Sequence, residues 1–145
     1  MFTGEYFHTF DSKGRIIIPA KFRGELGESF FLGKGFDNCL FVYPNSEWEV
    51  FLEELKKLSV LSNEQRKFTR KLLSGFIECS MDKQGRILLP PNLRDYCRLK
   101  DEAVVIGVLN RIEIWNREDW DKYSDDENMD FEDMAEKMTE LGLNI

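Results

Sequence analysis

Read for its alternation of apolar and polar positions, the chain falls into short strands and helices whose order occurs twice. Tyr6–Phe10 has strand character, a four-residue polar turn follows, and Ile-rich Arg15–Ile18 resumes as a strand before Pro19. Ala20–Leu26 is a short helix stopped by Gly27, and Ser29–Leu32 and Asn38–Tyr43 are strands separated by a Gly33-Lys34-Gly35 turn. Trp48, Phe51, Leu52, Leu55 and Leu58 recur at helical spacing, which predicts a helix over 47–58 opened by the capping box Ser46-Glu47-Trp48-Glu49. Ser62-Asn63-Glu64-Gln65 is a second capping box, opening a helix over 63–74 that Gly75 ends. From Phe76 the order begins again: strands Phe76–Met81 and Arg86–Leu89, a short helix Asn92–Leu99, then strands Ala103–Val108 and Arg111–Trp115. In the last segment, Asp125–Leu143, the spacing of Phe131, Met134, Met138 and Leu141 predicts an amphipathic helix docked on the body or on a neighbouring subunit.

The recurrence extends to individual residues. Asp11-Ser12-Lys13-Gly14-Arg15-Ile16-Ile17-Ile18-Pro19, closing with Arg23, returns as Asp82-Lys83-Gln84-Gly85-Arg86-Ile87-Leu88-Leu89-Pro90, closing with Arg94, at a constant separation of 71 residues. Asn38, Leu40, Tyr43 and Trp48 return as Asn110, Ile112, Trp115 and Trp120 at a separation of 72, as does Gly35 at Gly107. One residue gained between Arg94 and Gly107 accounts for the change of offset. The expected fold class is therefore α+β, with two tandem units in one chain, 1–75 with a helical insert and 76–145 with an acidic C-terminal helix.

Each copy of the motif has the chemistry of a turn between two antiparallel strands. The carboxylate of Asp11 or Asp82 can accept bonds from backbone N–H groups further on, and Gly14 or Gly85 tolerates a positive φ. A type I turn with a glycine bulge is the expected geometry. Pro19 and Pro90 end the strands and suit the first turn of the following helices. The two hairpin tips thus carry Lys13 with Arg15 and Lys83 with Arg86.

Charge changes the reading of the tips. The net charge of −7 argues at face value against nucleic acid, but residues 118–145 hold 11 acids and two lysines, leaving 18 basic against 16 acidic residues in 1–117. The acidity is a property of the tail, and the tips are locally basic. A two-stranded ribbon fits the major groove of B-DNA, where an arginine can address a base edge while a lysine meets phosphate. The motif aspartate can hold the arginine in place. The basic helix 63–74, with Arg66, Lys67, Arg70 and Lys71, is either a solvated face or a phosphate-contacting one. Two tips supply few cations per chain, so useful affinity requires several chains on repeated half-sites, and a homo-oligomer is expected.

Other chemistry finds little purchase. His8 is the lone histidine and the three cysteines, Cys39, Cys79 and Cys97, lack paired spacing, so no catalytic, metal or cofactor site is expected and the thiols are read as reduced. Gly33-Lys34-Gly35 lacks the further residues of a phosphate loop. No run approaches the ~20 apolar residues of a membrane span. The start, Met1-Phe2-Thr3-Gly4-Glu5, has no signal-peptide pattern, so a cytoplasmic location is expected.

The paired Asp-x-x-Gly-Arg-Ile-x-x-Pro stretches, with Arg23, Arg94 and Met1-Phe2-x-Gly, closely resemble the MraZ family of AbrB-like transcription factors, over nearly the whole chain. The resemblance implies two swapped-hairpin, β-barrel-type units in a pseudo-twofold repeat and a ring-shaped homo-oligomer, an octamer among the candidates. It implies a regulator, a repressor in the first reading, of the division and cell-wall gene cluster. Such a regulator would bind direct repeats in double-stranded promoter DNA, its own promoter included, and be nucleoid-associated. DNA contact maps onto Arg15 and Arg86, with Lys13 and Lys83, supported by Asp11, Gly14, Arg23, Asp82, Gly85 and Arg94. Gln84 stands where the first copy has Lys13, so the tips need not contact DNA equivalently. AbrB-like folds also serve in antitoxins, so the alternative is a protein-interaction module using the acidic tail.

Overall fold

The computed structural model describes residues 1–125 and 130–144. The first repeat contributes β1 (Glu5–Thr9), β2 (Arg15–Ile17), α1 (Ala20–Leu26), β3 (Ser29–Lys34), β4 (Leu40–Pro44), α2 (Asn45–Leu55) and α3 (Asn63–Ser74). The second contributes β5 (Phe76–Ser80), β6 (Arg86–Leu88), α4 (Pro91–Tyr96), β7 (Glu102–Val108), β8 (Arg111–Asn116), α5 (Arg117–Tyr123) and α6 (Phe131–Glu140). The fold is α+β, with a six-stranded antiparallel sheet in the order β1-β7-β8-β4-β3-β5 and a separate two-stranded ribbon, β2-β6. Among the described residues no ladder joins the two into a closed barrel.

The two repeats are interlaced. β1 lies against β7 of the second repeat, and β5 lies against β3 of the first. The simple hairpin expected between Tyr6–Phe10 and Arg15–Ile18 is therefore corrected: β1 and β2 share the turn but not a ladder. A hairpin of one repeat has an apolar face and little to bury it against. Pairing β2 with β6 instead sets Ile16 opposite Ile87, both under the sheet at 1% and 0% exposure. Ile16 and Ile87 are counterparts, as are Phe41 and Glu113, which face each other across β4 and β8. A residue can oppose its own counterpart only on a pseudo-twofold axis, so both pairs mark that axis.

Strands β4 and β8 are covered on both faces. Leu40, Val42, Ile112 and Ile114 join the core under the ribbon, α1 and α4, which also holds Phe2, Phe22, Phe30 and Leu89. Phe41, Tyr43 and Trp115 point the opposite way, into a second core with Trp48 of α2. There Trp48 stacks on Phe31 at 4.7 Å, and Trp115 meets Trp120 of α5 at 5.2 Å. Glu113 is buried in this second layer at 7% exposure. Its carboxylate accepts from Arg111 at 2.8 Å and from the Trp115 indole N–H at 3.0 Å, and the Arg111 guanidinium lies 4.1 Å from the Phe41 ring centre.

Several boundaries differ from the sequence reading, each for a local reason. Gly33 and Lys34 continue β3, because Phe76 of β5 covers the face where a side chain at Gly33 would stand. The turn falls at Gly35–Cys39, closed by a 2.8 Å bond from the Gly35 N–H to the Cys39 carbonyl, with Asp37 and Asn38 at positive φ. Helix α2 starts behind Pro44 without a side-chain cap, so Ser46 lies inside it and its capping box is not formed. Ser62 does cap α3, accepting from the Gln65 N–H at 3.3 Å, but the Gln65 side chain turns to the Ser59 N–H. Helix α4 stops at Tyr96, short of Leu99. The tail helix is confined to Phe131–Glu140; the rest of its expected N-terminal part reaches into 126–129, outside the described residues.

The single insertion inferred between repeats resolves into two changes. Gly27 and Arg98, both at positive φ after a short helix, are 71 apart. Leu32 and Val105, each facing its hairpin partner, are 73 apart, while those partners, Val42 and Ile114, are 72 apart. The second repeat thus gains two residues before β7 and loses one in the hairpin, and Gly107 corresponds to Lys34 rather than Gly35.

Candidate nucleic-acid interface

The two motif turns form as their residue types dictate. The Gly14 N–H donates to the Asp11 carbonyl at 3.1 Å and the Gly85 N–H to the Asp82 carbonyl at 3.0 Å, with φ of 84° and 78° at the glycines. One carboxylate oxygen of Asp11 accepts the backbone N–H groups of Lys13 and Arg15, each at 2.9 Å. The other accepts the Arg15 Nε–H at 2.8 Å. Asp82 does the same for Gln84 and Arg86, at the same distances. Each arginine is thus clasped through Nε, with no bond formed by its two terminal nitrogens among the described residues.

Interlacing brings together what the sequence reading treats as two separate tips. In the β2–β6 ribbon Arg15 opposes Leu88 and Ile17 opposes Arg86. Opposed residues share a face, and with Ile16 and Ile87 in the core that face is the outward one. Arg15 and Arg86 are diagonal neighbours on it, at a Cα separation of about 7–8 Å. Lys13 and Lys83 are exposed in the turns at the two ends. Leu88, 61% exposed, and Ile17 complete the face and were not singled out from sequence. Their signal is the alternation itself, since burying Ile16 and Ile87 turns their neighbours outward.

Arg23 and Arg94 do not serve their own turns. The Arg23 side chain covers Gly85, with its Nε–H held by the Ile18 carbonyl at 2.8 Å, and Arg94 covers Gly14. The Ile18 N–H donates to the Gly85 carbonyl at 2.8 Å and the Leu89 N–H to the Gly14 carbonyl at 2.9 Å, so each turn is braced by the other repeat. An alanine at either glycine meets a left-handed backbone penalty of roughly 1–2 kcal/mol. A Cβ at Gly14 would meet Arg94 at 3.0 Å, whereas one at Gly85 would overlap the Arg23 guanidinium. Gly85→Ala is therefore expected to lower the urea midpoint more than Gly14→Ala.

The clasps also set a pH dependence. The backbone N–H bond from Arg15, reinforced by its side chain, lowers the Asp11 pKa, and Arg86 does the same for Asp82. A carboxyl with a depressed folded pKa stabilises above its unfolded value and loses that effect as pH falls through the folded one. The Nε–H resonances of Arg15 and Arg86 are expected to hold their clasped positions through the ordinary aspartate range and to move only in stronger acid.

The remaining titratable candidates lie elsewhere. His8 is on β1, its pKa lowered by burial and then by the Arg23 charge. Burial pushes Cys79 and Cys97 up to about 12, and Cys39 higher. Among the described residues no group of three His, Cys, Asp or Glu could hold a metal ion, and no helix is long and apolar enough to cross a membrane.

The result is a duplicated, strand-exchanged unit that holds two arginines on the outward face of one ribbon. Comparison with known proteins identifies which family of such units this is. A family model described as "MraZ protein, putative antitoxin-like" matches residues 1–71 and again 72–141. Relatives named transcriptional regulator MraZ are 56% identical in Clostridium tetani, 52% in Caldicellulosiruptor saccharolyticus and 50% in Alkaliphilus oremlandii. Each alignment spans 99% of this chain and 100% of the relative. The chain belongs to the MraZ family.

Proposed function

We propose that the protein is a sequence-specific DNA-binding transcriptional regulator that reads promoter DNA through the outward face of the β2–β6 ribbon. The observation that carries this reading is the convergence of Arg15 and Arg86 on one face, each held by its own aspartate. A two-stranded ribbon fits the major groove, and a guanidinium whose terminal nitrogens are unspent can bond a guanine edge bidentately. Lys13 and Lys83 then meet phosphate on either side. Family membership adds the regulatory role, that of a regulator rather than an enzyme.

The finer reading follows from the small number of cations. One ribbon makes few phosphate contacts, so a single chain binds weakly and its grip fades with salt. A ring of chains, engaging direct repeats together, converts several weak contacts into one strong one. The targets are the promoter of the division and cell-wall gene cluster and the protein's own promoter, where the ring acts as a repressor in the cytoplasm, at the nucleoid. Fluorescence anisotropy on DNA from upstream of the protein's own gene tests this. Tight, salt-sensitive binding that is lost when the repeats are scrambled is expected; equal affinity for intact and scrambled DNA overturns sequence-specific reading.

A further inference from the structure

Two aliphatic side chains share the outward face of the β2–β6 ribbon with the clasped arginines. Leu88 is 61% exposed and Ile17 is half-buried. They are counterparts, 71 residues apart, so the duplicated unit sets a large aliphatic at this place twice. Strand propensity favours a β-branched residue such as Ile17 but gives no reason for a leucine in the open.

The ladder sets these side chains close to the guanidinium groups. The Ile18 N–H donates to the Gly85 carbonyl and the Leu89 N–H to the Gly14 carbonyl, so those pairs are of the hydrogen-bonded kind. Alternation then makes Arg15–Leu88 and Ile17–Arg86 non-hydrogen-bonded pairs, whose Cα atoms lie about 4.5 Å apart and whose side chains come closest. Two residues along a strand cover about 7 Å, which is two base-pair steps of B-DNA at about 3.4 Å each. On a duplex, an arginine and the aliphatic side chain across from it therefore fall within about one or two base pairs of each other.

The major groove offers an aliphatic side chain one apolar group, the C5-methyl of thymine. We propose that Leu88 and Ile17 are specificity-determining residues that read thymine methyl groups beside the guanines addressed by Arg15 and Arg86. This role rests on the DNA reading of the preceding section and adds a second base to it. An apolar protein surface fits the same patch less well. Laid over Leu88 and Ile17, it would also cover Arg15 and Arg86 and leave their terminal nitrogens without acceptors. DNA meets both needs, with acceptors for the guanidinium groups and methyl groups for the aliphatics.

The test replaces thymine by uracil throughout the repeats of the upstream DNA. Uracil keeps the O4 acceptor of thymine and lacks only the methyl. Burying one methyl is worth about fourfold in affinity, so the full-length protein is expected to bind the uracil DNA at least about fourfold more weakly. Leu88→Ala and Ile17→Ala are each expected to shrink that penalty, and the double variant to bind both DNAs alike. Leu88 is exposed, so Leu88→Ala leaves the core untouched and keeps the comparison readable if Ile17→Ala does not fold. Equal affinity of the unaltered protein for thymine and uracil DNA overturns the proposal, as does a penalty of unchanged size in Leu88→Ala. A fall in assembly mass by light scattering in Leu88→Ala makes the patch a contact between copies and overturns it too. Scrambled repeats separate the thymine contact from the DNA reading. A preference for intact over scrambled thymine DNA without a uracil penalty sinks the thymine contact alone; no such preference sinks both.

Discussion

Replacing Arg15 and Arg86 together by alanine is expected to abolish promoter binding while leaving the mass of the assembly unchanged. Each bidentate contact to a base edge is worth about 1–3 kcal/mol, or roughly 5- to 150-fold in affinity per arginine. The two guanidinium groups share one ribbon face. With the proposed ribbon in the groove they address one stretch of it, and either single replacement is expected to weaken every chain. Assembly multiplies the effect, because each chain that loses its contact also loses its share of the collective grip. Lys13→Ala and Lys83→Ala are expected to act differently, lowering affinity evenly across sequences and flattening the salt dependence by about one ion each. Anisotropy titrations over a salt series, on intact and scrambled repeats, separate the two patterns. Undiminished binding by the double arginine variant removes the ribbon from the interface.

Separating the repeats at Gly75 is expected to leave neither half folded as a monomer. The cut takes away the β1–β7, β3–β5, β4–β8 and β2–β6 pairings at once. What remains within each half is one hairpin, β3–β4 or β7–β8, and a two-stranded hairpin is at best marginal in water. The core loses its closure too, since Ile16 and Ile87 cover one core from different halves. Fragment 1–75 alone should show no cooperative thermal transition as a monomer, and mixing it with 76–145 should restore one, with the mass of a one-to-one complex. A cooperative melt of monomeric 1–75 would show that strand exchange is dispensable.

What was legible in the sequence was local. Asp11 and Gly14 specify a turn within four residues, and their reappearance as Asp82 and Gly85 announces the duplication; both turns form with the expected bonds. The partner of each strand was not legible, because the pattern of β1 is equally served by β2 or β7, and only the burial of Ile16 against Ile87 decides between them. The same blindness divided one site into two tips. Arg15 and Arg86 are 71 residues apart in sequence, and no periodicity within either repeat places them side by side. Gly33 misled for a related reason: its lack of a side chain serves the approach of Phe76, a contact made by a strand more than forty residues away.

The axis that relates the repeats also tells them apart. At its centre an aromatic ring, Phe41, faces a buried carboxylate, Glu113, which holds Arg111 against that ring. Two copies of the second repeat coming together would bring two such ion pairs to a centre where neither guanidinium has a ring to lie against. The first repeat, for its part, has Cys39 where the second has Arg111 on the neighbouring hairpin, so it brings no cation to that centre. At this position the repeats have taken different parts, the second supplying the ion pair and the first the ring it lies against.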